Sequence, residues 1–165
     1  DWMKAALTAR AAGLNPRAMR FVAFEGGGEA LTALQGGHVQ VYSGDASEAE
    51  EQIKSGAKIR VLAVMSDKRL DGRLANVPTA KEQGLDIEWP IIRGYYLGPK
   101  VSDADYKVWQ DTFSRMLASP AFQKLRADRS LYQFSLTGSE LDAYVKKRVG
   151  EYRTLAAEFG LNVTK

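Results

Sequence analysis

The sequence predicts an α/β fold with a parallel-rich sheet and flanking helices. Apolar segments typical of strands alternate along the chain with helical patterns, and this alternation favours parallel strands joined by right-handed crossovers. The strongest predicted strand, residues 58–65, ends in the continuous apolar run 61–65, which is typical of a buried parallel strand. Two other apolar segments, 20–24 and 39–42, each lead through a turn of small residues into a helix that opens with acidic residues.

Helix boundaries are predicted from apolar spacing and from residues that favour helix ends. Gly13 ends the first helix and Gly36 ends the second. Ser47 and Glu50 have the spacing of a capping box at the start of the third. In chain order, the predicted helices cover 3–12, 28–34, 47–54, 78–83, 102–119, 120–128 and a long segment from 139 onward.

The second half of the chain has a different composition. Residues 87–97 form an extended, aromatic-rich segment that Pro90 interrupts, and 131–136 is the remaining predicted strand. The composition changes near Pro90, so we place a domain boundary between residues 1–90 and 91–165.

Length and composition bound the class of protein. The chain has 165 residues, of which 45% are hydrophobic and 26% charged, as in an ordinary soluble globular protein of about one domain. No run of 18 apolar residues predicts a transmembrane helix, and no signal peptide is recognisable. Because Asp1 is not a natural start residue, we expect a fragment or a processed product.

Residue types and net charge exclude several functions. The net charge is only +3, and the basic residues do not cluster with stacking aromatic side chains, so no nucleic-acid partner is expected. The chain has no cysteine and one histidine, so no disulfide, metal site or cofactor is expected. That histidine, His38, precedes a strand at the wrong edge for an open α/β active site, and we expect it in a turn or on the surface.

Each turn of small residues is a candidate anion site. The first is Glu25-Gly26-Gly27-Gly28-Glu29, and the second is Ser43-Gly44-Asp45-Ala46-Ser47-Glu48. A helix start behind such a turn presents backbone N–H groups and the positive end of the helix dipole, which together bind carboxylates or phosphates. The candidate ligand-binding residues in these turns are Gly26, Gly27, Gly28, Ser43, Gly44, Asp45, Ala46 and Ser47.

Simpler interpretations of both turns stay open. The first turn lacks the Gly-Lys-Ser/Thr of a P-loop and the spacing of a dinucleotide fingerprint, so its glycines could serve packing alone. In the second turn, Asp45 or Ser47 could act only as the helix N-cap. Glu48 is interpreted as an acidic residue that suits the helix dipole.

Arg93 is a candidate on the extended aromatic-rich segment. It lies in Trp89-Pro90-Ile91-Ile92-Arg93-Gly94-Tyr95-Tyr96. An arginine in such a setting can hold a carboxylate through two parallel hydrogen bonds. The alternative is a solvated arginine at a strand end.

Several of these stretches occur in the order seen in one family of receptors. Each stretch alone is modest, but the ordered set covers nearly the whole chain and is specific. The stretches are 20–30, 34–40, 43–48, 58–64, 76–84, 93–96 and 158–161. In this set the chain resembles the periplasmic substrate-binding proteins of tripartite tricarboxylate transporters, also called Bug receptors.

The resemblance implies a truncated periplasmic binding protein-like fold, the type II clamshell, whose two lobes hold a ligand carboxylate. Residues 1–90 would form the second ligand-binding lobe without its first strand. Residues 91–165 would supply a crossover strand and the C-terminal helices that complete the first lobe. The N-terminal lobe and the signal peptide are absent from the chain, so the resemblance implies a C-terminal fragment of a periplasmic protein. Helix faces meant for the absent lobe would be exposed, and we expect self-association.

The function that the resemblance implies is a non-enzymatic receptor for a small organic di- or tricarboxylate, which it delivers to membrane transporter subunits. Backbone amides at Gly27, at Gly28 and around 46–47 would hold the carboxylate, and Ser43 and Arg93 would add side-chain bonds.

Two other functions are weighed beside the receptor. One is the carboxylate-sensing effector domain of a bacterial transcription regulator, which shares the clamshell plan. The other is a hydrolase that uses Asp45 and Glu48, against which stands the lack of a plausible nucleophile and base.

Overall fold

The computed structural model describes residues 1–161, which fall into two compact units. The first unit consists of Asp1–Ile91 together with Arg129–Tyr132, and the second consists of Ile92–Asp128 and the chain from Gln133 onward. The first unit ends beside the boundary predicted after residue 90. The assignment of 1–90 and 91–165 to two ligand-binding lobes stays a prediction.

Three α-helices and three short 3₁₀ turns form the regular structure of the first unit. Helix α1 spans Trp2–Ala11, α2 spans Gly27–Gln35 and α3 spans Ala46–Lys54. The 3₁₀ turns lie at Pro16–Ala18, Gly72–Leu74 and Lys81–Gln83. The three predicted helices are thus confirmed with ends shifted by one residue at most, whereas the helix predicted at 78–83 is reduced to a 3₁₀ turn.

Small apolar side chains line the core of the first unit. Alanines are buried on all three helices, and Leu31 of α2 is the largest fully buried side chain, with 1% of its surface exposed. Small side chains let neighbouring backbones approach closely, and α2 and α3 are in direct contact. The buried alanines are Ala6, Ala9, Ala33 and Ala49, and the chain after α3 adds Val64, Leu74, Ala80 and Ile87.

The predicted parallel-rich sheet, and with it the α/β class, is wrong for residues 1–161. In that range the structure has one isolated parallel bridge, between Val64 and Thr79. The Val64 N–H donates to the Pro78 carbonyl at 3.0 Å, and the Val64 carbonyl accepts from the Ala80 N–H at 2.9 Å. The helix-dominated structure therefore does not show the sheet that a type II clamshell requires.

Strand pairing explains why the prediction failed. A strand needs a neighbour that bonds its N–H and C=O groups, and an apolar pattern specifies an extended backbone without specifying that neighbour. Side chains expected inside the sheet lie on the surface instead, since Val22 is 56%, Val41 70% and Leu62 54% exposed.

Polar contacts fasten the segment Arg129–Tyr132 to α3. Ser130 is buried, and its hydroxyl accepts a hydrogen bond from the Lys54 ammonium at 2.7 Å. The Tyr132 hydroxyl donates to the carboxylate of Glu50, which is also buried, at 3.3 Å. Burial and the neighbouring charge of Glu50 raise the pKa of Tyr132 to about 12, so this hydroxyl remains a donor at neutral pH.

The second unit contains three helices, with α4 at Asp103–Ala118, α5 at Pro120–Asp128 and α6 at Gly138–Glu158. The predicted helix positions are confirmed here, and Ser102 caps α4 by accepting a hydrogen bond from the Asp105 N–H at 3.1 Å. The apolar face of α4 is only partly covered. Phe113 stacks on Tyr95 with ring centroids 5.1 Å apart, whereas Trp109 is 49% exposed.

Truncation of Leu31 tests the core of the first unit. We expect Leu31→Ala to lower the free energy of unfolding by about 2–5 kcal/mol, because it removes buried contacts and leaves a cavity. Leu62→Ala is the matched control, since Leu62 is 54% exposed, and we expect a change of at most about 0.5 kcal/mol. Urea denaturation measures both, and equal losses would contradict the assignment of the core.

Candidate ligand-binding site

Both turns of small residues place a helix start where the sequence predicts one. Gly26 is the N-cap of α2 and Asp45 is the N-cap of α3, and both have extended backbone. Gly26 has no side chain, and the Asp45 side chain accepts no hydrogen bond from the first turn of α3, as is also true of the N-cap side chains of α1 and α6. The positive ends of α2 and α3 are therefore left without a side-chain cap, and another acceptor can use their N–H groups.

A tyrosine and a glutamate bring the two turns together. The Tyr42 hydroxyl donates to Oε2 of Glu48 at 2.5 Å. Both side chains lie against Gly27, because an ideal Cβ on this glycine would lie 2.6 Å from Cδ of Glu48 and 2.6 Å from Oη of Tyr42. A Cβ on Gly44 would overlap the Tyr42 ring. Only glycine fits at both positions without moving Tyr42 or Glu48, so the start of α2 meets the second turn through these two side chains.

The surroundings of Tyr42 keep its hydroxyl protonated. Burial raises the pKa of Tyr42 well above its ordinary value, and the hydrogen bond to the Glu48 carboxylate raises it further. An ionised tyrosine would lose its donor and face the like charge of Glu48. Tyr42 is therefore a constant donor to Glu48 at neutral pH.

A buried lysine lies beside the second turn. Lys4 is 3% exposed, and its ammonium lies 2.8 Å from Oδ1 of Asp1 and 3.7 Å from Oδ1 of Asp45. A buried ammonium is costly unless it is paired, so these carboxylates stabilise it. The Asp45 carboxylate thus interacts with the Lys4 ammonium, and it accepts no capping hydrogen bond from the first turn of α3.

A surface cavity of about 690 Å³ opens beside the first turn. The cavity lies along α2. A 3.3 Å hydrogen bond between the side chains of Gln35 in α2 and Gln52 in α3 joins these two helices. The cavity is lined by Gly28, Glu29, Thr32, Ala33, Gly36, His38 and Gln52. The backbone at Gly28 is thus accessible to a small molecule, and the expected surface position of His38 is confirmed.

The candidate residues fall in different parts of the chain. Eight of them lie at the starts of α2 and α3 in the first unit, where Gly26 and Gly28 are exposed and the others are half-buried. Arg93 is exposed and belongs to the second unit. Ligand binding by all nine residues stays a prediction.

Two residues that the sequence did not assign to the site, Lys4 and Tyr42, shape its geometry together with Glu48, which the sequence placed in the second turn as a residue suited to the helix dipole. Tyr42 directly precedes the second turn, and a polar aromatic residue at the end of a predicted strand was the available signal for its contact with Glu48. Lys4 lies 41 positions before Asp45, and no local pattern links the two.

Two further properties of residues 1–161 concern membrane-spanning helices and metal ligands. None of the helices in this range is long and apolar enough to cross a membrane. In the same part of the chain, no three His, Cys, Asp or Glu side chains are grouped so that they could hold a metal ion.

Comparison with known families defines the class of protein. The sequence model of one protein family, the tripartite tricarboxylate transporter family receptor, matches residues 5–161. This range includes both turns and Arg93. The match defines a class of substrate-binding receptors and not a class of enzymes. The chain belongs to the tripartite tricarboxylate transporter family of receptors. No curated protein and no solved structure gives a significant match.

Two adjacent glycines provide a matched test of the contact at α2. Gly27→Ala pushes the Glu48 carboxylate away from Tyr42, whereas Gly28→Ala places its methyl group in open space. Both substitutions gain helix propensity, by up to about 1 kcal/mol. We expect Gly28→Ala to be the more stable variant by about 1 kcal/mol in urea denaturation, because it keeps the Tyr42–Glu48 hydrogen bond. Equal stabilities would contradict the contact.

Proposed function

We propose that this receptor binds a small organic dicarboxylate or tricarboxylate at its two turns, acts in the periplasm and presents the ligand to membrane transporter subunits. The family of the chain supports the class of function, since its receptors are periplasmic and work with such subunits. The observation that supports the site is the meeting of two uncapped helix starts through Tyr42, Glu48 and Gly27.

Backbone amides are the proposed main ligand contacts. The first-turn N–H groups at Gly27 and Gly28 of α2, and at Ala46 and Ser47 of α3, are suited to carboxylate oxygens. The dipoles of two nine-residue helices favour a negative charge at these positions. One carboxyl group at each helix start would account for a ligand with at least two carboxylates.

Two side chains are proposed to add specificity. Ser43 is the first residue of the second turn and is half-buried, and its hydroxyl is proposed to donate to a ligand oxygen. Arg93 is proposed to form a bidentate hydrogen bond with a ligand carboxylate.

The contacts of the acidic residues support binding without turnover. The Glu48 carboxylate accepts from Tyr42, and the Asp45 carboxylate lies near the Lys4 ammonium. Neither carboxylate is placed to activate a nucleophile in the described contacts, which disfavours the hydrolase alternative.

Calorimetric titration of the chain with citrate and succinate tests this function. We expect binding of at least one of them, and we expect Ser43→Ala and Arg93→Ala each to weaken it about tenfold, because each loses a hydrogen bond to a charged group. Ser55→Ala and Arg60→Ala are matched controls, since both residues are exposed outside the turns. If Ser43→Ala and Arg93→Ala bind the ligand as tightly as the original chain, the proposed roles of these two side chains are refuted. If the chain binds neither citrate nor succinate, the proposed function is refuted.

Self-association of the chain is proposed from its exposed apolar side chains. Val22, Val41 and Leu62 lie in extended segments without a strand partner, and Tyr95 and Tyr96 are 77% and 82% exposed. Exposed apolar surface and unpaired strand edges favour association with a second copy. We expect sedimentation velocity at micromolar concentration to detect dimers or larger species. A monomer throughout that concentration range would contradict the proposal.

A further inference from the structure

The structure places one of the chain's own carboxylates at the start of α2. Glu48 Oε2 occupies the space that a side chain on Gly27 would need, and it accepts the hydrogen bond of Tyr42 there. Gly27 is the first residue of α2, behind a glycine N-cap that offers no side-chain oxygen. A glutamate of α3 therefore lies against the first residue of the helix that is proposed to receive a ligand carboxylate.

Charge and hydrogen bonding both favour this position for Glu48. The helix dipole of α2 attracts a negative charge at its first turn. Tyr42 supplies a neutral donor that stays protonated at neutral pH, as its raised pKa indicates. The Asp45 carboxylate of the second turn lies near the Lys4 ammonium, whereas Glu48 faces a neutral hydroxyl.

We propose that Glu48 is an affinity-determining residue that acts as an internal competitor of the ligand. For an external carboxylate to reach the start of α2, the Glu48 carboxylate must move away from Gly27 and give up the hydrogen bond that it accepts from the Tyr42 hydroxyl. This inference rests on the proposed carboxylate-binding function, and it adds that the site selects among ligands by their net negative charge. Ligands of higher negative charge are repelled more strongly by Glu48, so it disfavours a tricarboxylate relative to a dicarboxylate of similar size.

The substitution Glu48→Gln separates charge from shape. The amide has nearly the same size and keeps an oxygen that can accept from Tyr42, while the negative charge is lost. Glu140→Gln is the matched control, because Glu140 is an exposed acidic residue in the first turn of α6 and its substitution removes the same charge at a helix start outside both turns.

Calorimetric titrations of the chain with citrate and with succinate test the proposal. We expect Glu48→Gln to bind citrate at least fivefold more tightly than the original chain, with a smaller gain for succinate, and Glu140→Gln to change either affinity by less than about twofold. A second readout needs no ligand. The ultraviolet titration of Tyr42, obtained by difference from Tyr42→Phe, is expected to shift to lower pH in Glu48→Gln.

The outcomes distinguish this proposal from the function beneath it. If the original chain binds citrate or succinate and Glu48→Gln binds no more tightly, the competition by Glu48 is refuted and the carboxylate site stands. If neither form binds either ligand, both proposals fail. If the titration of Tyr42 is the same in Glu48→Gln, the contact itself is refuted, whatever the affinities are.

Discussion

The contact of Tyr42 and Glu48 with Gly27 is the constraint on which the rest of the candidate site depends. A side chain at position 27 would collide with both groups, and one at position 44 would overlap the Tyr42 ring. The glycines therefore do more than permit a turn, because they allow two helix starts to share one small space. The small side chains of the first unit serve the same geometry, since they let α2 and α3 pack in direct contact.

Local contacts of the acidic side chains make an acid-rich turn compatible with the proposed anion site. Asp45 lies near the buried ammonium of Lys4, and Glu48 accepts from a tyrosine that keeps its proton. Each carboxylate is thus engaged by a different group, while the N-terminal dipoles of α2 and α3 remain without side-chain caps. The family of the chain and the arrangement of its turns are consistent with one function, the capture of a carboxylate.

Local signals in the sequence predicted the α-helices correctly, whereas the sheet predicted from the apolar segments is wrong for residues 1–161. Gly36 and Pro120 mark helix ends through backbone preferences that act within one turn, and the structure has those ends in the predicted places. The apolar segments around Val22 and Val41 indicated extended backbone, yet pairing depends on a distant neighbour that a local pattern does not specify. For the same reason, the sequence did not indicate the contact of Lys4 with Asp45, which lies 41 positions further along the chain. Both glycine turns were recognised because the residues that mark them are adjacent in the sequence.

Amide chemical shifts test the central claim most directly, namely that both helix starts bind one carboxylate ligand. In a ¹⁵N–¹H correlation spectrum of the chain titrated with citrate or succinate, we expect the N–H signals of Gly27, Gly28, Ala46 and Ser47 to shift together, with one shared dissociation constant. Those of α6 would stay in place. Shifts confined to one turn, or spread over residues outside both turns, would contradict the account.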